Sequence, residues 1–383
     1  MRTYKVAILG CRSRGSAAAH AYHQHPRTEV VGLCDLLTER LDTLGEELGV
    51  KARYNDLDLM ITETNPDIVA IPTGTEFHHP LAMRVLEHGV HIDIEKPLCV
   101  DLKQADEVLA KANEKNVNIA VHHQGRTSPS MAAVREAISN GLIGEPIHIL
   151  ASGKGYYGGY GLMNIGTHLL NGMIGIAGHC SAVSAVALTA GHPVKPEDVV
   201  HAPNGMGAIV GERITATLEF ENNLTATLLQ HRFHKVNPGT SRIEIHGSKG
   251  RLYWAQNSAW HLPSAYFLPD GSYSWKALPK NPPDSFDTKG FANELDYAFT
   301  HEYVAALDEG REHTCSGPEG LHVLEIMMGI FESAAHHRRI KLPQKNRHHP
   351  LLRWREEAGL ATLPQDVPRP YKEWLSHEDN RIA

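Results

Sequence analysis

Two groups of residues in this sequence have the types and the spacing to do chemistry. The first is a glycine turn: Gly10, Cys11, Arg12, Ser13, Arg14 and Gly15 directly follow the apolar run Tyr4-Lys5-Val6-Ala7-Ile8-Leu9, and about twenty residues on Val30-Val31-Gly32-Leu33-Cys34 ends in Asp35. A strand, a tight turn, a helix and a second strand closed by an acid form the order of elements that suits a dinucleotide. Gly10 permits the turn and Gly15 lets the helix approach the strand. Unpaired N–H groups at the helix start hold a pyrophosphate, and Asp35 accepts from both ribose hydroxyls. Arg12 stands where the fingerprint's middle glycine would be, so its guanidinium meets either a phosphate or the adenine face. A carboxylate at Asp35 repels a 2′-phosphate, and Leu36 and Leu37 supply no compensating cation, which favours NAD over NADP; Arg12 and Arg14 remain cations able to swing toward a phosphate. The second group is Glu95-Lys96-Pro97, which follows another strand and so falls at the carboxyl edge of the sheet, where the nicotinamide would lie.

The elements that must position these groups alternate up to about residue 122. Asp67-to-Ile71, His91-to-Ile94 and Val117-to-Val121 read as buried strands, with helical periodicity over Pro80-to-Glu87 and Leu102-to-Asn113. Such alternation implies a parallel sheet covered on both faces. From Pro146 the apolar segments lengthen and alternate: Ile147-to-Ser152, Ala182-to-Thr189, Ile214-to-Phe220, Leu224-to-Phe233 and Ile243-to-Ile245, with a hairpin turn at Glu221-Asn222-Asn223. The expected fold is therefore α/β: an N-terminal Rossmann domain (1–122), a C-terminal α+β domain with a largely antiparallel, open-faced sheet (123–344), and a C-terminal arm (345–383). Residues 255–290 read as a surface excursion and 291–337 as helical. The arm carries Trp354, Tyr371 and Trp374, a composition that suits packing on the body or on a neighbouring subunit.

Composition narrows the class. A chain of 383 residues has room for two cores, and a net charge of −7 without a basic stripe argues against nucleic acid as a partner. No apolar run is long enough for a membrane span and no signal-peptide pattern opens the chain. Five scattered cysteines, never spaced C-x-x-C, read as reduced thiols of a cytoplasmic protein. The 26 histidines include the pairs His78-His79 and His122-His123, but adjacent residues diverge on strand and helix alike, so no metal is expected.

Taken with Gly161-Leu162-Met163-Asn164-Ile165-Gly166-Thr167-His168, with Ile71-Pro72-Thr73 and His78, and with the Ile243-to-Gly250 strand and turn, these motifs resemble the glucose–fructose oxidoreductase and inositol dehydrogenase family (Gfo/Idh/MocA) over nearly the whole chain. The resemblance implies that Lys96 sits beside the nicotinamide and stabilises charge developing on the reacting oxygen. Pro97 matches a cis-capable proline that aims the lysine, and His168 is the base that takes the hydroxyl proton. Asn164 stands where many relatives have Asp. Spaced i and i+4 from His168, it shares that residue's face if the segment is helical, and it serves either as a substrate contact or as a helix cap. Glu95, Thr73, His78 and Gln124 complete the expected cofactor pocket.

The run Lys154-Gly155-Tyr156-Tyr157-Gly158-Gly159-Tyr160-Gly161 reads as a carbohydrate-facing loop or as an aromatic-packed connection. Arg126, Lys154, Arg232 and Lys235 either add positive charge near a substrate or are solvated surface. Two activities fit. One is NAD-dependent oxidation of a secondary hydroxyl of a sugar or cyclitol. The alternative is an NAD-dependent glycoside hydrolase, in which transient oxidation lets His168, Tyr156 or Tyr157 remove the neighbouring C–H proton before elimination, hydration and re-reduction. A homo-oligomer, dimer or tetramer, is expected from the exposed sheet face typical of the family.

Overall fold

The computed structural model describes residues 2–266, 272–363 and 367–382. It forms two compact units. The first gathers Met1–Cys99, Gln104–Ser128 and Asn281–Gly320; the second gathers Val100–Lys103, Pro129–Lys280 and Leu321–Ala383. Residues 281–320 group with the first unit, and Leu321–Ala383, the expected arm included, with the second.

In the first unit, β1 (Tyr4–Leu9), β2 (Thr28–Cys34), β3 (Arg53–Tyr54), β4 (Ile68–Ile71), β5 (His91–Ile94) and β6 (Ile119–Val121) make a parallel sheet in the order β3-β2-β1-β4-β5-β6. The order reverses between β1 and β4, the switch point at whose carboxyl edge such sheets bind ligands. Helices Ser13–Gln24, Thr38–Leu48, Leu57–Thr64, His78–Glu87 and Leu102–Lys115 alternate with the strands. Helix Glu294–Glu309 starts on Asn293, whose side chain accepts from the backbone N–H groups of Leu295 and Asp296, and it packs against helix Ser13–Gln24. Phe299, Tyr303 and Val304 of that late helix join Tyr4, Val6, Ile8, Tyr22 and Leu33 in one buried cluster.

The second unit is built on β7 (Pro146–Ser152), β8 (Cys180–Thr189), β9 (His192–Pro193), β10 (Val200–His201), β11 (Ala208–Ile209), β12 (Arg213–Phe220), β13 (Thr225–His231), β14 (Arg242–Gly247), β15 (Arg251–Ala255), β16 (Ser258–Leu262), β17 (Lys276–Ala277) and β18 (Ile340–Lys341). Its main sheet runs β17-β16-β15-β14-β7-β13-β12-β8-β18, antiparallel except where β13 lies parallel to β7. Alternate residues of β12, β13 and β14 are buried. Helices Pro129–Ser139 and Thr167–Ala177 pack on this sheet, so one face is covered and the other stays partly open. The β12–β13 hairpin turns where expected, with Asn223 at φ +65°. β15–β17 extend the sheet into the segment expected to be irregular. All five cysteines are free and buried. Among the described residues no helix is long and apolar enough to cross a membrane.

Candidate active site

The glycine turn has the geometry its sequence requires. Gly10 sits at φ +108°, which side chains disfavour. A Cβ on Gly15 would lie 1.8 Å from the Gly10 carbonyl oxygen, so only glycine lets the helix start here. The first-turn N–H groups that follow lack helical acceptors. Asp35 is fixed rather than free: Oδ2 accepts from the Cys11 N–H at 2.8 Å and Oδ1 from the Leu37 N–H at 2.9 Å. The Cys11 thiol is pushed up to about 12 by burial and then by Asp35, so this residue contributes its backbone and not a nucleophile. Arg12 and Ser13 are exposed. A cation does accompany Asp35, beyond Leu36 and Leu37: Arg40 approaches it at 3.7 Å.

Arg14 takes a different part from the one expected. Its Nε donates to Glu95 Oε1 at 2.6 Å and its Nη2 to Asp296 Oδ1 at 2.9 Å. Asp296 in turn accepts from His122 Nε2 at 2.9 Å, while His122 Nδ1 faces Asp93 Oδ1 at 3.0 Å. Tyr22 Oη donates to the other Asp93 oxygen at 2.9 Å. A continuous polar chain, Tyr22–Asp93–His122–Asp296–Arg14–Glu95, thus runs through the first unit to the residue before Lys96. His122, Asp93 and Asp296 are no more than 2 % exposed. Burial alone would lower the His122 pKa, but the two flanking carboxylates outweigh it and push it up to about 10. Burial likewise opposes the charge of Glu95, yet Arg14, His122 and Lys96 hold its carboxyl below the usual range. His123, by contrast, is held well below its ordinary value by burial and then by Lys96, Arg126 and His122. One neighbour of the pair is a cation and the next is neutral.

The Lys96–Pro97 peptide is cis. His78 is buried and bridges two loops, with Nδ1 donating to the Pro97 carbonyl at 2.9 Å and Nε2 lying 3.3 Å from the Thr73 carbonyl. It braces the loops after β4 and β5 from behind. Thr73 Oγ1 and Gln124 Oε1 are buried without a hydrogen-bond partner among the described residues. Unpaired buried polar atoms are costly, and these two, with the Gly10 turn and Asp35, fit a bound dinucleotide.

In the second unit, helix Gly158–Gly161 passes through a π turn, Leu162–Gly166, into helix Thr167–Ala177. The segment from Asn164 to His168 is helical, the condition on which the two would share a face, with the wider turn inside it, a feature common at functional sites. His168 is 7 % exposed. Asn164 Nδ2 donates to Tyr160 Oη at 3.1 Å, which also accepts from Asn204 Nδ2 at 3.1 Å. The glycines approach backbone: a Cβ on Gly158 would meet the Gln230 carbonyl at 2.6 Å, and one on Gly159 the Val210 carbonyl at 2.7 Å. Tyr157 is fully buried and donates to Glu378 Oε1 at 3.1 Å; burial and then Glu378 raise its hydroxyl far above the usual range. It packs as a pillar between this run and Glu378. Tyr156 stays half-buried beside Tyr160 and Tyr371. Of the four scattered cations, Arg126 pairs with Glu319 and Arg232 with Glu212 and Asp379. Lys154 is half-buried with no acidic partner among the described residues, and burial lowers its pKa.

A parallel nucleotide-type sheet with this turn, and a second unit carrying a sheltered histidine, define the class of two-unit, dinucleotide-dependent oxidoreductases. Residues 4–123 match the model of an oxidoreductase family described as an NAD-binding Rossmann fold, and residues 135–342 match that family's C-terminal alpha/beta domain. The chain belongs to the Gfo/Idh/MocA oxidoreductase family. It is similar to a D-apiose dehydrogenase of Paraburkholderia graminis, with 23 % identity covering 89 % of this chain and 90 % of the relative. Similarity to the inositol 2-dehydrogenase of Rhizobium meliloti is also 23 %, covering 89 % and 99 %. Among solved structures, a levoglucosan dehydrogenase in complex with NADH and levoglucosan shares the fold, with a TM-score of 0.72, 20 % identity, and coverage of 90 % of this chain and 100 % of that one.

Proposed function

We propose that this protein is an NAD-dependent dehydrogenase of a sugar or cyclitol secondary hydroxyl. The observation that carries the reading is Asp35, half-buried just after β2 and aimed by two backbone N–H groups beside a turn that only glycine can make. A carboxylate so held recognises the paired hydroxyls of an unphosphorylated ribose. When bound, the nicotinamide supplies hydride acceptance and return. The chain's own residues do the rest. Thr73, Gln124 and the exposed Arg12 and Ser13 hold the cofactor; Lys96 stabilises negative charge on the reacting oxygen; His168 takes the hydroxyl proton. Asn164, bonded to Tyr160, orients without adding charge.

The named relatives are dehydrogenases, which supports net oxidation over redox-neutral hydrolysis. The half-open face of the second unit's sheet is the surface proposed to pair copies into a dimer or tetramer, and the five buried free thiols suit a reducing cytoplasm. The test offers NAD with a panel of aldoses, anhydrosugars and inositols, and in parallel nitrophenyl glycosides. NADH formed in proportion to a free sugar or cyclitol supports the proposal. Nitrophenolate release that requires NAD but accumulates no NADH overturns it in favour of hydrolysis.

A further inference from the structure

The family match ends at residue 342, yet the chain beyond it is built into the tyrosine run that leads to His168. Helix Tyr371–Ile382 presents Tyr371, Trp374, Leu375 and Glu378 on one stripe, spaced as a helix face requires. The Tyr371 hydroxyl accepts the backbone N–H of Tyr157 at 2.8 Å. Its ring stacks on Tyr160 with centroids 4.9 Å apart and meets the edge of Tyr156 at 4.8 Å. Glu378, 1 % exposed, accepts from Tyr157 and from both Nε and Nη2 of Arg381 at 2.7 Å. Trp374, equally buried, donates to the His201 carbonyl at 2.8 Å. Arg232 holds the helix from the other side through two bonds to Asp379, at 2.6 and 2.9 Å.

These contacts converge on one path. Tyr371 fixes Tyr160, Tyr160 Oη receives Asn164, and Asn164 lies inside the π turn that delivers His168. We propose that the C-terminal helix is a positioning element of the sugar site, with Tyr371 as its key residue, acting through Tyr160 and Asn164 rather than by touching the reacting atoms. The inference rests on the sugar dehydrogenase reading for its kinetic consequence, and on the contacts alone for its structural one. The helix buries Trp374 and Glu378, is clamped by ion pairs at Glu378 and Asp379, and anchors to the run that leads to His168.

The test compares Tyr371→Ala, Tyr371→Phe and Glu378→Gln in the full chain, with the exposed Lys372→Ala as control. Hydrogen–deuterium exchange over residues 156–168 and the affinity for NAD are measured beside steady-state kinetics. Tyr371→Ala is expected to speed exchange in that segment and to lower kcat/KM for the sugar by about 10–100-fold, the cost of a small misplacement of reacting groups, with the Kd for NAD unchanged. Tyr371→Phe, which keeps the ring and loses one hydrogen bond, is expected to recover most of the loss. If Tyr371→Ala does not fold, Glu378→Gln takes its place, with the same expectation. Unchanged exchange and kinetics overturn the proposal, as does an equal loss in Lys372→Ala. If the wild type turns over no sugar, the functional reading fails while exchange still decides the helix's role.

Discussion

Replacing His122 by Phe tests the charge assignment of the first unit. The two rings have similar outlines, and His122 already packs against Phe299 with centroids 4.0 Å apart, so shape is largely kept. What disappears is a cation between Asp93 and Asp296. Asp296 retains Arg14 and Asn293, whereas Asp93 retains, among the described residues, the Tyr22 hydroxyl. Breaking a buried ion pair on one side costs about 3–5 kcal/mol. The shift of His122 from 6.5 to about 10, at about 1.4 kcal/mol per pH unit, caps its contribution near about 5 kcal/mol.

The sign follows from linkage. A histidine whose pKa is raised on folding stabilises fully below its unfolded value, and the contribution fades as pH rises through about 10. Urea unfolding of wild type and His122→Phe at pH of about 6.5, 8 and 10 is expected to show a gap of a few kcal/mol that narrows toward the alkaline end. A triple variant with Asp93→Asn and Asp296→Asn added is expected to regain much of the loss, since no charge is then left unpaired. A gap below about 1 kcal/mol, or one that widens with pH, would mean that the folded protein holds His122 neutral, and the reasoning would fail.

Other expectations follow from single groups. His25, His313 and His349 are each held down to about 4, chiefly by burial, so stability is expected to fall as pH drops from 6.5 toward 4 as the unfolded chain binds protons first; His313→Asn should flatten that acid limb in thermal melts. Asp35→Ser leaves Arg40 without its acid and is expected to raise NADP use relative to NAD by at least about tenfold in kcat/KM, one lost charge repulsion being worth on the order of 1–2 kcal/mol. Gly15→Ala, with no room for its Cβ, should abolish NAD binding or folding, read by calorimetry and circular dichroism. His168→Asn should lower kcat for the sugar by about 10²–10⁴-fold while leaving the Kd for NAD unchanged.

Much of the framework was legible because it is local. Apolar runs, the glycine turn and the acid at the end of β2 lie within thirty-five residues, and Asn223 marks its hairpin through a conformation that asparagine tolerates. The half-open sheet shows in the alternation of β12 and β13. The ion chain was not legible, because Arg14 and Asp296 are 282 positions apart and His122 and Asp296 174, and no periodicity links them. One signal was available: Asp93 places an acid inside a buried parallel strand, and a buried charge demands a partner. In the sequence the His122-His123 pair suggests only a metal ligand, although the pairing of β5 with β6 sets the end of one strand beside the end of the other. Before His168 the glycines do permit a close approach, but Gly158 and Gly159 approach the chain's own backbone, and Tyr157 answers a glutamate 221 positions away.

The return of residues 281–320 to the first unit bears on how the protein is made. A ribosome releasing the first 128 residues has exposed all six parallel strands but neither Phe299 and Tyr303 of their core nor the Asp296 carboxylate that His122 requires. The nascent nucleotide-binding half must therefore wait, incompletely packed, while the whole main sheet up to β17 emerges, and it closes only when helix Glu294–Glu309 arrives. Topologically the second unit is largely an insertion into the first. A fragment cut at the end of the 4–123 family match would lack Phe299, Tyr303 and Val304 and so expose the apolar surface they cover, a feature that favours aggregation.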